Sequence, residues 1–472
     1  MVLLESLLVQ EAELSSQMQE LKDTLSGVHV QIAELQDVNR NAPTYNLPNE
    51  TLSAIFEAGL SETQHFSARF RRLFRIERKA PPASFEILVS AVSRRWRNVA
   101  LQTPQLWTEL DINVAKSMHH LYDLYLYRSK MCLLDITLTQ CNILKKSDVD
   151  TDINFKQHLE RLIPHVARWK KFVIKHAYIH SPSTALSALT HLYAPALETL
   201  EVDFGSSQRP FMEVFSAGAP RLSYLTLIGV YFRPPAESIK SLKLWRHGEK
   251  QFSHAEFKQF LQPMSSLTHL SIDSSVLPGT THSPIELPSV TSLNIVLGIV
   301  SVDSFSDGTL RFLDLPAVET LTVQGSTYNL LSVFNQYHRA YPVVRSLAII
   351  YSYYREQDTP AATTLNFITL FPNIQDVVFQ GADPSPLLHT LYNRRSTDER
   401  LWPHLSAMTI TPAERVKVSV KKQIWADVVK FVGNRVQLGI PISSIKLSSE
   451  IVERGSQRQQ QKLREQVTLV EC

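Results

Sequence analysis

A short apolar signature that recurs thirteen times limits this chain to very few architectures. Its form is Leu197-x-x-Leu200-x-Val202. Further copies begin at Leu222, Ile239, Leu267, Val290, Val318, Val344, Ile374, Leu405 and Ile442, and earlier ones fit at Trp107, Leu133 and Trp169. The last two apolar positions stand two residues apart, the period of side chains on one face of a strand. In seven copies a proline precedes the first apolar position by two residues: Pro195, Pro220, Pro288, Pro316, Pro342, Pro372 and Pro403. Proline ends a helix and favours extended chain before it, so it punctuates the units. Thr184 to Tyr193, His254 to Leu261, Leu330 to Tyr337 and Pro386 to Tyr392 read as helices between strands. Another helix, over about Gln423 to Asn434, precedes the last strand, Ile442 to Leu447.

A strand, a turn and a helix repeated at this interval resemble the irregular leucine-rich repeats, although the asparagine that usually closes the strand motif is missing. The resemblance implies a solenoid over residues 111–452 with its strands in one curved parallel sheet. The residue between the last two apolar positions of each strand must then point outward. Glu201, Thr226, Lys243, Ser271, Asn294 and Thr322 are the target-binding candidates. Ala348, Val378, Thr409 and Lys446 extend the column, in which eight of ten residues are polar. Each could also do no more than keep the surface soluble. The stretch from residue 453 to 472, rich in Gln and Arg, reads as a polar tail.

At the other end, Leu4, Leu7, Leu14, Met18, Leu21, Leu25, Val28, Ile32 and Leu35 alternate three- and four-residue steps once the slot of Glu11 is counted. That is a heptad seam over residues 1–40, a coiled-coil helix. So narrow a stripe wants a partner, either self-association through residues 4–35 or docking onto the rest of the chain.

Residues 45–110 form a separate small helical module. Leu47-Pro48-Asn49-Glu50 opens a helix, because proline at the first helical position gives up no hydrogen bond. Leu52, Ile55 and Phe56 share one face of it, and Phe85, Leu88, Val89, Val92, Trp96 and Val99 line a second helix. Leu47-Pro48-x-Glu50-x-Leu52-x-x-Ile55-Phe56, followed by Val92-Ser93-Arg94-Arg95-Trp96-Arg97 and by Thr103-Pro104-Gln105-Leu106-Trp107, resembles the F-box of large families in mushroom-forming fungi. That resemblance implies a face that binds the Skp linker protein, and through it a cullin, in a ubiquitin ligase. Leu47, Pro48, Leu52, Ile55, Phe56, Val92 and Trp96 would lie at the contact or close the module's own core. An insertion over 60–85 separates the two halves and carries Arg69, Arg71, Arg72, Arg75, Arg78 and Lys79 against Glu77. It reads as a solvated basic face or as an anion-binding or nuclear-import patch.

The implied function is that of a non-enzymatic adaptor, in which the F-box docks on the ligase and the solenoid holds an unknown protein target. The alternative is a leucine-rich-repeat scaffold, dimerised by the coiled coil, without ligase function. Formal charge is only +3, so no whole-chain field demands nucleic acid or a membrane. Three cysteines, Cys132, Cys141 and Cys472, make no disulfide framework, which points to the cytoplasm or nucleus. No apolar run spans a bilayer. With 14 glycines the sequence holds no phosphate-cradling glycine motif, no nucleophile elbow and no His-Glu-x-x-His helix. His176 with His180 and His119 with His120 lack matching carboxylate or thiolate spacing, so no metal, cofactor or catalytic residue is assigned.

Overall fold

The computed structural model describes residues 2–40, 46–60, 84–114, 119–139, 149–177, 186–204, 212–245, 253–273, 276, 284–297, 313–325, 341–351, 361–381, 383–393, 401–412 and 416–471. The chain is mixed α/β. It divides into two compact units, one of residues 1–109 and 123–132, the other of residues 110–122 and 133–472.

The first unit is helical. Helix α1 runs Val2–Arg40, α2 covers 49–60, α3 is Phe85–Val92 and α4 is Arg94–Gln102. The sequence suggested one helix through Phe85 to Val99, and here the structure differs. Ser93 is extended at φ −155° and caps α4, its hydroxyl accepting from Trp96 N at 3.1 Å. A serine that satisfies a free helix amide offers the backbone an alternative to continuing the helix, and this break rotates the apolar stripe apart. The basic insertion lies outside the described residues, apart from its first and last positions.

The second unit is built on a 14-stranded sheet. Its strands are β1 Glu109–Asn113, β2 Leu134–Thr139, β3 Trp169–Ala177, β4 Thr199–Phe204, β5 Tyr224–Ile228, β6 Ser241–Trp245 and β7 His269–Asp273. They continue with β9 Ser292–Val296, β11 Thr320–Gly325, β12 Ser346–Tyr351, β13 Asp376–Gln380, β14 Ala407–Thr411, β15 Ser444–Leu447 and β16 Thr468–Glu471. Two short strands, β8 Ile285–Glu286 and β10 Leu313–Asp314, pair separately. Strands lie side by side in chain order, and each pairing from β2 to β16 is parallel. Every copy of the apolar signature thus supplies one strand. From Leu197 onward the three apolar positions of each copy are buried, none more than 3% exposed, and they form the core beneath the sheet.

The prolines act more locally than a helix stop. Leu197 N donates to Ala194 O at 3.3 Å, Leu222 N to Ala219 O at 3.1 Å, and Leu405 N to Trp402 O at 3.1 Å. Each closes a turn with proline at its second position, where a fixed φ is favourable and no N–H is needed. Immediately before each sheet strand from β4 to β14, one carbonyl accepts two amides from the next unit. Glu198 O receives Ser223 N and Tyr224 N, Ser223 O receives Lys240 N and Ser241 N, and the series continues to Ser406 O. Ser223, Thr268, Thr291 and Ser406 add a hydroxyl to the same carbonyls.

Three of the helices suggested between strands form. His254–Leu261 forms as expected, with a capping box of Ser253 and Glu256, and so do Ser385–Tyr392 and Val418–Gln437. Of Thr184 to Tyr193 the structure describes residues from 186 on, of which 186–187 are helical before a run of turn, and residues 229–240 cross from β5 to β6 without a helix. Leu330 to Tyr337 lies outside the described residues.

The expected polar tail is a correction. Residues 457–466 form a helix capped by Ser456 and Gln459, with Leu463 and Val467 buried, and β16 then adds to the edge of β15. A Cβ on Gly455 would meet the Trp425 ring at 2.3 Å, so glycine alone permits this segment's close approach to Val418–Gln437. Arg435 fixes the same helix, donating to Trp402 O at 3.0 Å, Leu405 O at 3.3 Å and Ile440 O at 3.0 Å, while burial draws its pKa down to about 10.

Candidate functional site

In the helical unit, α2 and α4 are tied at their starts. Arg95 donates to the carbonyl of Leu47 and to Asn49 Oδ1 at 3.3 and 3.2 Å. Farther along, Ser53 shares a 2.7 Å hydrogen bond with Thr103, whose hydroxyl also reaches Val99 O. Trp107 is buried, its indole N–H on Ala100 O at 2.8 Å, with Tyr125 edge-on and the Arg128 guanidinium 4.4 Å above its ring. The Tyr125 hydroxyl donates to the buried Glu86 carboxylate, and burial, reinforced by that carboxylate, raises its pKa strongly. These contacts make a rigid core around α2, α3 and α4.

That core uses some of the residues expected at a partner contact. Leu52 and Phe56 are fully buried, and Trp96 packs on Phe56 with ring centroids 5.1 Å apart. Leu52 and Phe56 therefore lie in the module's interior, with the half-buried Trp96 against Phe56. Leu47 is half-buried and Pro48 is exposed. What remains outward is aliphatic. Ile55 is 47% exposed on α2, and on α3 Ile87 is 39%, Leu88 52% and Val92 60% exposed. The two helices meet where the Phe85 ring covers Gly59, a contact so tight that a Cβ there would stand 2.5 Å from the ring. Ile87 and Leu88 were not singled out by sequence as contact residues, because the assumption of one continuous helix put Leu88 on the same stripe as Val89 and Val99.

The second candidate surface is the outer face of the sheet. Strand register places Glu201, Thr226, Lys243, Ser271, Asn294, Thr322, Ala348, Val378, Thr409 and Lys446 in a single row, each opposite the next. All are half-buried or exposed. The row does not stop at Lys446, since Val470 of β16 follows it.

Its middle is structured. The Lys243 ammonium sits 3.9 Å from the Trp245 ring, and Asn294 Nδ2 donates to Ser271 Oγ at 3.0 Å. Both Trp245 Nε1 and Asn294 Oδ1 are buried without a hydrogen-bond partner. Trp245, two residues beyond Lys243 and hence on the same face, was legible from the strand period but lay outside the chosen column.

Among the described residues, no group of three or more His, Cys, Asp or Glu side chains is placed to hold a metal ion, and no described helix is long and apolar enough to cross a membrane. Cys132 is half-buried, while the side chains of His119, His120, His176 and His180, and all of Cys141 and Cys472, lie outside the described set. In comparisons with known proteins, no family model matches the chain and no curated protein matches it.

Proposed function

We propose that this chain is a substrate-recruiting adaptor of a ubiquitin ligase of the Skp, cullin and F-box type. In this reading residues 45–110 are the F-box and the sheet unit is a leucine-rich-repeat solenoid that binds a target protein. The observation that carries it is the apolar surface left on α2 and α3. The module closes a core with Leu52, Phe56, Val89 and Val99, yet still offers Ile55, Ile87, Leu88 and Val92 to solvent. Exposed aliphatic side chains on two packed helices suit a helical protein partner better than water or a small ligand. The solenoid reading is supported by thirteen successive strands in parallel register, with a repeated proline turn and a repeated doubly accepting carbonyl.

The division of labour follows from the surfaces. An apolar face of this size selects one constant partner, the Skp linker protein. A polar row of Glu, Thr, Lys, Ser and Asn, centred on Lys243, Trp245 and Asn294, discriminates among targets by hydrogen bonding and charge. Ubiquitin transfer itself belongs to other subunits in this scheme, and the chain is not an enzyme. The test is calorimetric titration of the purified full chain with a purified Skp linker protein. Binding at micromolar or tighter affinity is expected, whereas no heat and no co-elution at tens of micromolar would leave only the scaffold.

A further inference from the structure

Helix α1 carries the apolar seam that neither proposed docking surface uses. Every described side chain from residue 10 to 32 is exposed, and Leu14, Met18, Leu21, Leu25, Val28 and Ile32 are each between 45% and 70% exposed. Their steps of four and three residues hold one stripe along the helix, so the seam is complete but unpaired. The question is what covers it.

Two features name the occupant. The positions flanking the seam are Gln10, Gln17, Thr24 and Gln31 on one side and Ser15, Lys22 and His29 on the other. Foreign helices are normally chosen by opposite charges at such flanks. Lys22 is the one fixed charge on these flanks, and most of the others are amides and hydroxyls, which both donate and accept and so suit copies of themselves. The other feature is Glu11, which occupies a seam position. In a parallel pair both Glu11 carboxylates would share one apolar layer, where like charges repel and desolvation is costly. In an antiparallel pair Glu11 faces Val28 of the second copy, Leu14 faces Leu25, and Met18 faces Leu21. Every remaining layer of residues 11–28 is then apolar. The two Glu11 side chains stand seventeen residues apart along the axis, about 25 Å at 1.5 Å per residue, which is about three Debye lengths at physiological salt.

We infer that residues 10–32 pair with a second copy of this chain as an antiparallel two-stranded coiled coil. This goes beyond the adaptor reading and does not rest on it. The segments after Arg40 leave the coil at opposite ends, about 60 Å apart along its axis. Two copies of the sheet unit are thus carried on one particle, and any ligand that meets both gains from their effective concentration.

The test uses the full chain with Cys132, Cys141 and Cys472 replaced by serine. Sedimentation equilibrium should give twice the chain mass. Leu21→Asp, at a position 70% exposed, should return the single mass while thermal unfolding of the sheet unit stays unchanged, a loss of dimer affinity of at least about 100-fold. A spin label at Val30→Cys, on the outer side of the helix, fixes orientation. Antiparallel pairing sets it opposite residue 9 of the second copy, so two labels lie at least about 30 Å apart along the axis. Parallel pairing would leave them level, separated only by the coil's width of about 20 Å. A monomeric wild type, a Leu21→Asp chain that still dimerises, or labels at the shorter distance would each overturn the inference.

Discussion

Leu52 and Ile55 are three residues apart on α2, yet substitution should separate them completely. Leu52 is fully buried, so Leu52→Ala removes core contacts and leaves a cavity, at a cost of about 2–5 kcal/mol to the helical unit. Ile55 is 47% exposed. Roughly half of an isoleucine's burial value, about 1 kcal/mol, is already used in the fold, and a similar amount is still available to a docked partner. Ile55→Asp forfeits that remainder and also puts an uncompensated carboxylate into a dry contact, which costs about 3–5 kcal/mol. The combined loss of about 4 kcal/mol or more weakens Skp binding on the order of 1,000-fold, while fold stability falls by only about 1 kcal/mol. Leu88→Asp, at a side chain 52% exposed, should behave like Ile55→Asp. Circular-dichroism melting read beside calorimetric titration separates the two effects. If Ile55→Asp melts as early as Leu52→Ala, the exposure argument is wrong. If the wild type binds the linker and Ile55→Asp and Leu88→Asp bind it equally well, the face has been misassigned.

Arg435→Ala should cost about 2–4 kcal/mol in urea unfolding, because three backbone carbonyls lose a charged donor. Arg435→Lys should recover little of this, since one ammonium cannot span all three, and a loss under 1 kcal/mol for the alanine variant would contradict the geometry. Tyr392 donates to Asp427 Oδ1 at 2.9 Å, and burial, aided by that carboxylate, pushes its pKa up from 10.0 to about 12. A folded pKa above the unfolded one gives stability that is complete below pH 10 and lost as pH rises towards 12. Melting temperature should therefore fall more steeply over that interval in wild type than in Tyr392→Phe, and parallel curves would remove Tyr392 from the account. Ending the chain at Gly455 strips away the helix Gln457–Gln466 and β16, exposes the backbone edge of β15 and removes buried Leu463. Gel filtration should then show aggregation, and a monodisperse product with unchanged melting would speak against the edge-covering role.

The sheet was legible because burial on one side leaves a strict trace. Leu225 and Leu227, or Ile349 with Leu347, must both reach the core, and a two-residue spacing is the only way for a strand to do that. The ordered row of outward residues followed from the same constraint, and the register confirms its alignment strand by strand. Connections obey no such rule. Between β5 and β6 the chain needs only to return, and Gly229, Pro234 and Pro235 bring it back without a helix, so periodicity had nothing to report. On α3 and α4 the obstacle was different. Phe85 to Val99 fits a helical stripe numerically, but the Ser93 hydroxyl offers its own capping bond, and one residue decided which of Leu88, Val92 and Val99 went inside.

The C-terminal segment shows why average composition misleads at the end of a sheet. An element there packs on one side only, so it needs few apolar residues, and its other side must be polar to keep the edge soluble. Residues 457–466 meet that requirement with Leu463 alone inside the helix, followed by Val467 one turn later. The Gln and Arg residues around them, which read as a tail, are the solvent side. A finer signal was present, because Ser456 and Gln459 stand at capping-box spacing, and Leu469 and Glu471 of β16 continue the rows of Ile445 and Leu447. Local cap chemistry and strand period outweigh bulk polarity here, since both act on backbone groups that must be satisfied whatever the surrounding side chains are.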